Sequence, residues 1–126
     1  MGYSILIVDD SSIVRRSLIK TLKLANVSID AALEAGNGLE ALNILSTNSV
    51  DIVFLDINMP VMNGMEFMER IRADEKYKSL AVVIISTEGS KERIDQLTDY
   101  QIKAYLRKPF SPERLAETFE IVMKGN

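Results

Sequence analysis

The sequence contains no cysteine and no histidine. Without cysteine there are no disulfides and no thiolate-held metals, a composition compatible with a cytoplasmic protein. Without histidine, zinc-hydrolase, Ser-His-Asp and Cys-His chemistries are excluded, and so is a role as a phosphohistidine carrier. No run of about 18 apolar residues occurs, so no membrane insertion is expected. The opening stretch MGYSILIVDD has no basic region ahead of its apolar run and reaches acid at Asp9, unlike a secretory signal. Its sixth residue is not Ser or Thr, as a myristoylation signal would require. No Lys/Arg run stands out, the net charge is -3 and the pI is near 5.0, so direct binding to nucleic acid is not expected. Repeats, low-complexity segments and linkers are absent as well.

What remains is an ordinary globular composition, 47% hydrophobic and 26% charged, in 126 residues, the length of a single domain. Short β-branched runs alternate with stretches of helical period. Strands are expected at 3–8, 27–35, 51–56, 80–86 and 102–107. Helices are expected at 11–25, 38–47, 64–73, 90–100 and 111–124. In the first helix Val14, Leu18, Leu22 and Ala25 repeat at helical spacing. The last opens with Ser111 as N-cap, Pro112 at the first helical position and Glu113 in the first turn. Five βα units in succession favour an α/β fold with a parallel sheet covered on both faces. The runs at 5–8, 52–55 and 82–85 are continuously apolar, as doubly buried central strands should be. Asp30, Lys103 and Arg107 interrupt the second and fifth strands, as at sheet edges. The expected architecture is therefore a flavodoxin-like, doubly wound sheet of order 2-1-3-4-5, whose ligands bind beyond the carboxyl ends of the strands.

The chemically interesting residues fall at those ends. Asp9 and Asp10 follow the first strand, Asp56 ends the third, Ser86 with Thr87 ends the fourth, and Lys108 follows the fifth, before Pro109. Strands 1 and 3 are neighbours in this order, so three carboxylates crowd one rim. Two bare carboxylates about 4 Å apart repel by roughly 4 kcal/mol at an effective dielectric of 20. Such a cluster persists with a cation, a lysine or shifted pKa values. Hard oxygen ligands with room for water suit Mg²⁺. Metal, ammonium and hydroxyl together match a dianionic phosphoryl group.

The segments ILIVDDS, DIVFLDINMPVMNGMEF, VVIIST and YLRKPFSPERL, in this order and spacing, resemble a response-regulator receiver domain of the CheY-like type over essentially the whole chain. The resemblance implies one receiver domain over 1–126, without an output domain, that acts in two-component signalling and is not an enzyme. It implies that Asp56 accepts phosphate, and that Asp9, Asp10, Asp56 and the backbone carbonyl of Asn58 hold Mg²⁺, for which Mn²⁺ can substitute. Lys108 would pair with Asp56 or its phosphate, across a cis Lys108-Pro109 bond. Ser86 would hydrogen-bond a phosphoryl oxygen and Tyr105 would turn inward with it. The partners implied are a sensor histidine kinase or histidine phosphotransfer protein and a protein output target, bound at a surface of the fourth helix, fifth strand and fifth helix.

Each assignment has a plainer competitor. Asp9, Asp10 or Ser11 could simply cap the first helix. Thr87 competes with Ser86; counting back from Lys108 favours Ser86 and makes Thr87 the neighbour that gates access to the phosphate. Tyr105 could be an edge-strand aromatic lying over a helix. Asn58 and Glu88 are either solvent-exposed or order the water that ends the phosphorylated state. Met59, Met62, Met65 and Met68 read as core filling, with Met59 and Met62 exposed near the site. The rival functions are a metal-dependent phosphatase with an aspartyl nucleophile, in which Asn58 stands where a second acid is wanted, and a pseudo-receiver that never takes phosphate. The chain also departs from the receiver pattern: DYQIKAY replaces the usual Gly-Ala pair before the last strand, and the fourth helix offers only Ile94 and Leu97 as clear anchors. A different ending and a thinly anchored helix are expected there.

Overall fold

The computed structural model describes residues 2–87 and 91–124. Strands β1 (Tyr3–Val8), β2 (Ile29–Ala35), β3 (Ile52–Leu55), β4 (Ala81–Ser86) and β5 (Ala104–Arg107) form one parallel sheet in the order β2-β1-β3-β4-β5. Helices α1 (Ser12–Leu24), α2 (Gly38–Thr47), α3 (Gly64–Arg72), α4 (Lys91–Thr98) and α5 (Pro112–Lys124) alternate with them. The doubly wound order and the alternation are those expected from the sequence. A single 3₁₀ turn, Glu75–Tyr77, follows α3 and was not anticipated.

Strand periodicity divides the core in two. Ile5, Ile7, Ile52, Phe54, Val83 and Ile85 face one way, toward Leu18 and Leu22 of α1 and Leu115 and Phe119 of α5. Leu6, Val8, Val53, Leu55, Val82 and Ile84 face the other, toward Ala41 and Leu45 of α2, Phe67, Met68 and Ile71 of α3 and Leu97 of α4. The three continuously apolar runs are the three central strands because each residue, whichever way it points, meets a helix.

The termini of the elements differ from expectation where side chains or turns take over the backbone bonding. β2 begins at Ile29, two residues late, because the Val27 amide turns back to the Leu22 carbonyl behind α1. β3 excludes Asp51, whose carboxylate instead accepts the Ser4 amide at 2.7 Å. α4 ends at Thr98, two residues early. The turn after it places Gln101 at φ 60°, in the left-handed region that glycine ordinarily fills. With no glycine in the stretch, an L-residue occupies that conformation. β5 begins at Ala104.

Candidate functional site

The sheet register builds the site. Ile7 lies opposite Phe54 and Val8 opposite Leu55, and one step further the Asp56 amide donates to the Val8 carbonyl at 2.9 Å. Asp9 and Asp56 thus leave adjacent strands at the same level. On the next strand pair Leu55 lies opposite Ile84, which brings Ser86 to the same rim, and the Lys108 amide donates to the Ser86 carbonyl at 2.9 Å. Carboxylate oxygens of Asp9, Asp10 and Asp56 lie within 4.8 Å of one another. Asp9 is buried, Asp56 half-buried and Asp10 exposed, so the cluster opens to solvent through Asp10.

The capping alternative for the first acids resolves in favour of Ser11. Its hydroxyl accepts the Val14 amide at 3.3 Å and caps α1. Asp9 takes the Ser11 amide on Oδ1 at 2.9 Å, which turns the chain out of the strand. Neither Asp9 nor Asp10 is the N-cap, and the Asp10 carboxylate projects from the loop without a capping duty.

One expected pairing comes out differently. Lys108 Nζ bonds Asp9 Oδ2 at 3.0 Å rather than Asp56. Asp9 is the more buried of the two acids and so gains more from a nearby ammonium. The Lys108-Pro109 peptide bond is cis, as the resemblance implies. Asp56 takes the Ile57 amide on Oδ1 at 2.8 Å. Burial pushes the Asp56 carboxyl above its ordinary 3.8, and the Asp9 charge pushes the same way; Lys108, the Ile57 amide and the Ser86 hydroxyl oppose them. A carboxylate whose charge is unwelcome in this way is one that a bound cation would relieve.

The loop after β3 explains its own sequence. Gly64 closes it by donating to the Ile57 carbonyl at 2.8 Å, and a Cβ there would stand 2.5 Å from the Asp56 carbonyl oxygen. The proline and Asn63-Gly64 behind a buried strand are thus the turn that folds α3 back against the acid. Asn63 then caps α3 through a reciprocal box with Glu66, at 2.9 and 3.0 Å. Met62 is buried, contrary to the exposure expected of it, because its carbonyl accepts the Gly38 amide and its side chain lies where a Cβ of Gly38 would be. Met59 is half-buried. Val61 sits between them at φ 66°, three-quarters exposed; a β-branched residue in that conformation is strained.

The remaining sequence-predicted residues fall as follows. Asn58 is exposed in the loop two residues beyond Asp56, and Thr87 is exposed beside the fully buried Ser86. Glu88 lies outside the described residues. Tyr105 lies opposite Ile84, and it packs half-buried against the core shared by α2, α3 and α4. Ser86 shares the parity of Ile84, so its side chain leaves the sheet on the same face as Tyr105. Sequence reasoning missed Arg15 and Arg72. Arg15 donates to the Asp9 carbonyl at 2.6 Å and to Glu34 at 2.9 Å. Arg72 donates to the carbonyls of Tyr100, Tyr77, Leu80 and Gln101 at 2.7 to 3.3 Å. Arg72 acts on backbone carbonyls, and Arg15 on a carbonyl and on an acid nineteen residues away, neither of which leaves a mark in a sequence.

Residues 5–120 match the family model described as the response regulator receiver domain. The chain belongs to the response regulator receiver family. Over 120 residues this receiver is 38% identical to the chemotaxis protein CheY homolog of Campylobacter jejuni subsp. jejuni (serotype O:2), covering 94% of this chain and 91% of that one. It is 36% identical over 123 residues to chemotaxis protein CheY1 of Helicobacter pylori (strain J99), covering 97% and 98%. Among solved structures, the chemotaxis response regulator CheY4 of Vibrio cholerae superposes with a TM-score of 0.84 at 32% identity, covering 98% of this chain and all of that one. The receiver is thus a CheY-like signalling module of two-component systems. Receivers generally bind Mg²⁺ at an aspartate cluster, and the donor set here fits one: three carboxylates with hard oxygens, one open to water, gathered within ion-bridging distance. No helix among the described residues is long and apolar enough to cross a membrane.

Proposed function

We propose that the protein is a cytoplasmic response regulator whose receiver domain accepts a phosphoryl group on Asp56 from a phosphohistidine of a sensor histidine kinase or a histidine phosphotransfer protein. The supporting observation is the convergence of Asp9, Asp10 and Asp56 on one solvent-reachable rim with Lys108 and Ser86 beside them. An Asp56 oxygen attacks phosphorus, the phosphorus–nitrogen bond breaks, and the imidazole leaves. Mg²⁺, or Mn²⁺ in its place, would be held by Asp9, Asp10, Asp56 and the Asn58 carbonyl, and it supplies charge neutralisation for the transferring group. Lys108 adds a fixed positive charge at the same edge. Asp56 enters the reaction already disfavoured as a bare anion, by burial and by Asp9. Hydrolysis of the acyl phosphate by water resets the protein. Asn58 and Thr87, exposed beside the site, order that water and, together with Glu88, set the lifetime of the phosphorylated state.

The readout runs through Ser86 and Tyr105. The Ser86 hydroxyl bonds Asp56 and follows the phosphoryl oxygens when they form. Tyr105, on the same face of the sheet, moves inward with it. These shifts bias the surface of α4, β5 and α5 between two states, one of which binds a protein target. The test is labelling by acetyl phosphate. The wild type takes up about one phosphoryl group per chain in millimolar Mg²⁺ and none in chelator, while Asp56→Asn takes up none in either. Equal labelling of Asp56→Asn would overturn the assignment, and steady turnover of a phosphomonoester would favour a phosphatase instead.

A further inference from the structure

Asp9 lies one residue beyond β1. Its amide still donates to Ala35 at 3.1 Å. Its two carboxylate oxygens are taken by the Ser11 amide and by Lys108. The one polar atom left is its carbonyl oxygen, and Arg15 Nη1 donates to it at 2.6 Å. That oxygen belongs to the peptide unit joining Asp9 to Asp10. A peptide unit is planar, so fixing its oxygen fixes the direction in which the chain enters Asp10. The guanidinium is itself aimed: its Nε bonds Glu34 Oε1 at 2.9 Å, and its side chain is only 17% exposed. The Arg15 charge is thus paired with Glu34 on β2.

We infer that Arg15, aimed by Glu34, is the positioning residue of the acid loop: it holds the Asp9–Asp10 peptide so that the Asp10 carboxylate joins Asp9 and Asp56 around one divalent cation. This rests on the metal-site reading above. It makes a prediction opposite in sign to simple electrostatics. Removing a positive charge near three carboxylates should tighten Mg²⁺ binding if charge were all that mattered. Removing the residue that orients a ligand should weaken it, and loss of such outer partners commonly costs tenfold or more in metal affinity.

The experiment is calorimetric titration of the full chain with Mg²⁺, without any phosphodonor, on wild type, Arg15→Ala, Arg15→Lys, Glu34→Gln and Arg16→Ala. Arg16 is the exposed neighbour that carries the same charge without the carbonyl bond. Arg15→Ala is expected to bind Mg²⁺ about tenfold more weakly, with Arg15→Lys and Glu34→Gln about threefold weaker. Arg16→Ala is expected to bind as tightly as wild type or slightly more so. If Arg15→Ala does not fold, Arg15→Lys decides, since it keeps the charge and loses the forked geometry. Folded Arg15 variants that bind Mg²⁺ at least as tightly as wild type would overturn the inference. A wild type that shows no Mg²⁺ binding at all would overturn the metal-site reading itself, a result recognisable without any variant.

Discussion

Helices α3 and α4 cover the same face of the sheet and have nearly equal lengths, nine residues and eight. They are held very differently. α3 starts with a reciprocal capping box, buries Gly64, Phe67, Met68 and Ile71, and lies so close to Asp56 that its first residue has no room for a side chain. α4 buries Leu97 alone among its residues, and the turn behind it carries Gln101 in a left-handed conformation. That turn is held from outside, by Arg72 at the end of α3. Tight packing therefore sits where the acid must be placed to a fraction of an ångström. The looser helix belongs to the surface proposed to switch. An element with few buried contacts opens at low cost, which suits a part that must switch.

The comparison can be broken most easily at Arg72. Arg72→Ala would remove charged bonds to four carbonyls, in the 3₁₀ turn after α3, just before β4 and in the turn after α4. A loss of roughly 2 kcal/mol in urea denaturation is expected, discounted for partial exposure. Amide exchange should accelerate in 97–104 more than in α3. Uniform acceleration would show that the two helices open as one unit.

A smaller and pH-dependent effect is expected at Asp56. Its folded pKa is raised above 3.8, first by burial and then by Asp9, so the folded state holds the proton more tightly than the unfolded one. The contribution of Asp56 to stability must then fall as pH rises from 3.8 through the raised value, and level off above it. Asp56→Asn removes that loss. Its advantage over wild type, measured by thermal melts in chelator, should grow across this window and then stay constant. An advantage that shrinks with rising pH would contradict the assigned direction. Gln101→Gly should give the smallest change, a gain of about 1 kcal/mol from relief of the left-handed residue. Because it touches only the α4 side, labelling of Asp56 by acetyl phosphate should be unaltered; slower labelling would mean that the two regions are not separable.

Much of this was readable in the chain because it is local. Central strands announce themselves as unbroken apolar runs, and acids, hydroxyl and lysine directly after strands 1, 3, 4 and 5 must converge once the order is 2-1-3-4-5. The Ser111-Pro112 start of α5 is a short-range signal and held, with the Arg114 amide bonding Ser111 at 3.1 Å. The parts that were not readable depend on distance in space. Lys108 could have met Asp9 or Asp56, and only the side-chain geometry at the rim decides for Asp9. Arg15 and Arg16 look alike in sequence, yet one is tied to Glu34, nineteen residues away, and the other faces solvent. The lack of glycine marked the end of α4 as unusual, but not that Gln101 would take a left-handed conformation held by tertiary bonds from Arg72.

Location of the phosphoryl group tests the account most directly. The protein is labelled with acetyl phosphate in Mg²⁺, reduced with borohydride to turn any aspartyl phosphate into homoserine, then digested and fragmented in a mass spectrometer. Homoserine at position 56, and at no other aspartate, is the predicted result. Homoserine at position 9 or 10, or a borohydride-stable phosphate on Ser86 or Thr87, would contradict it.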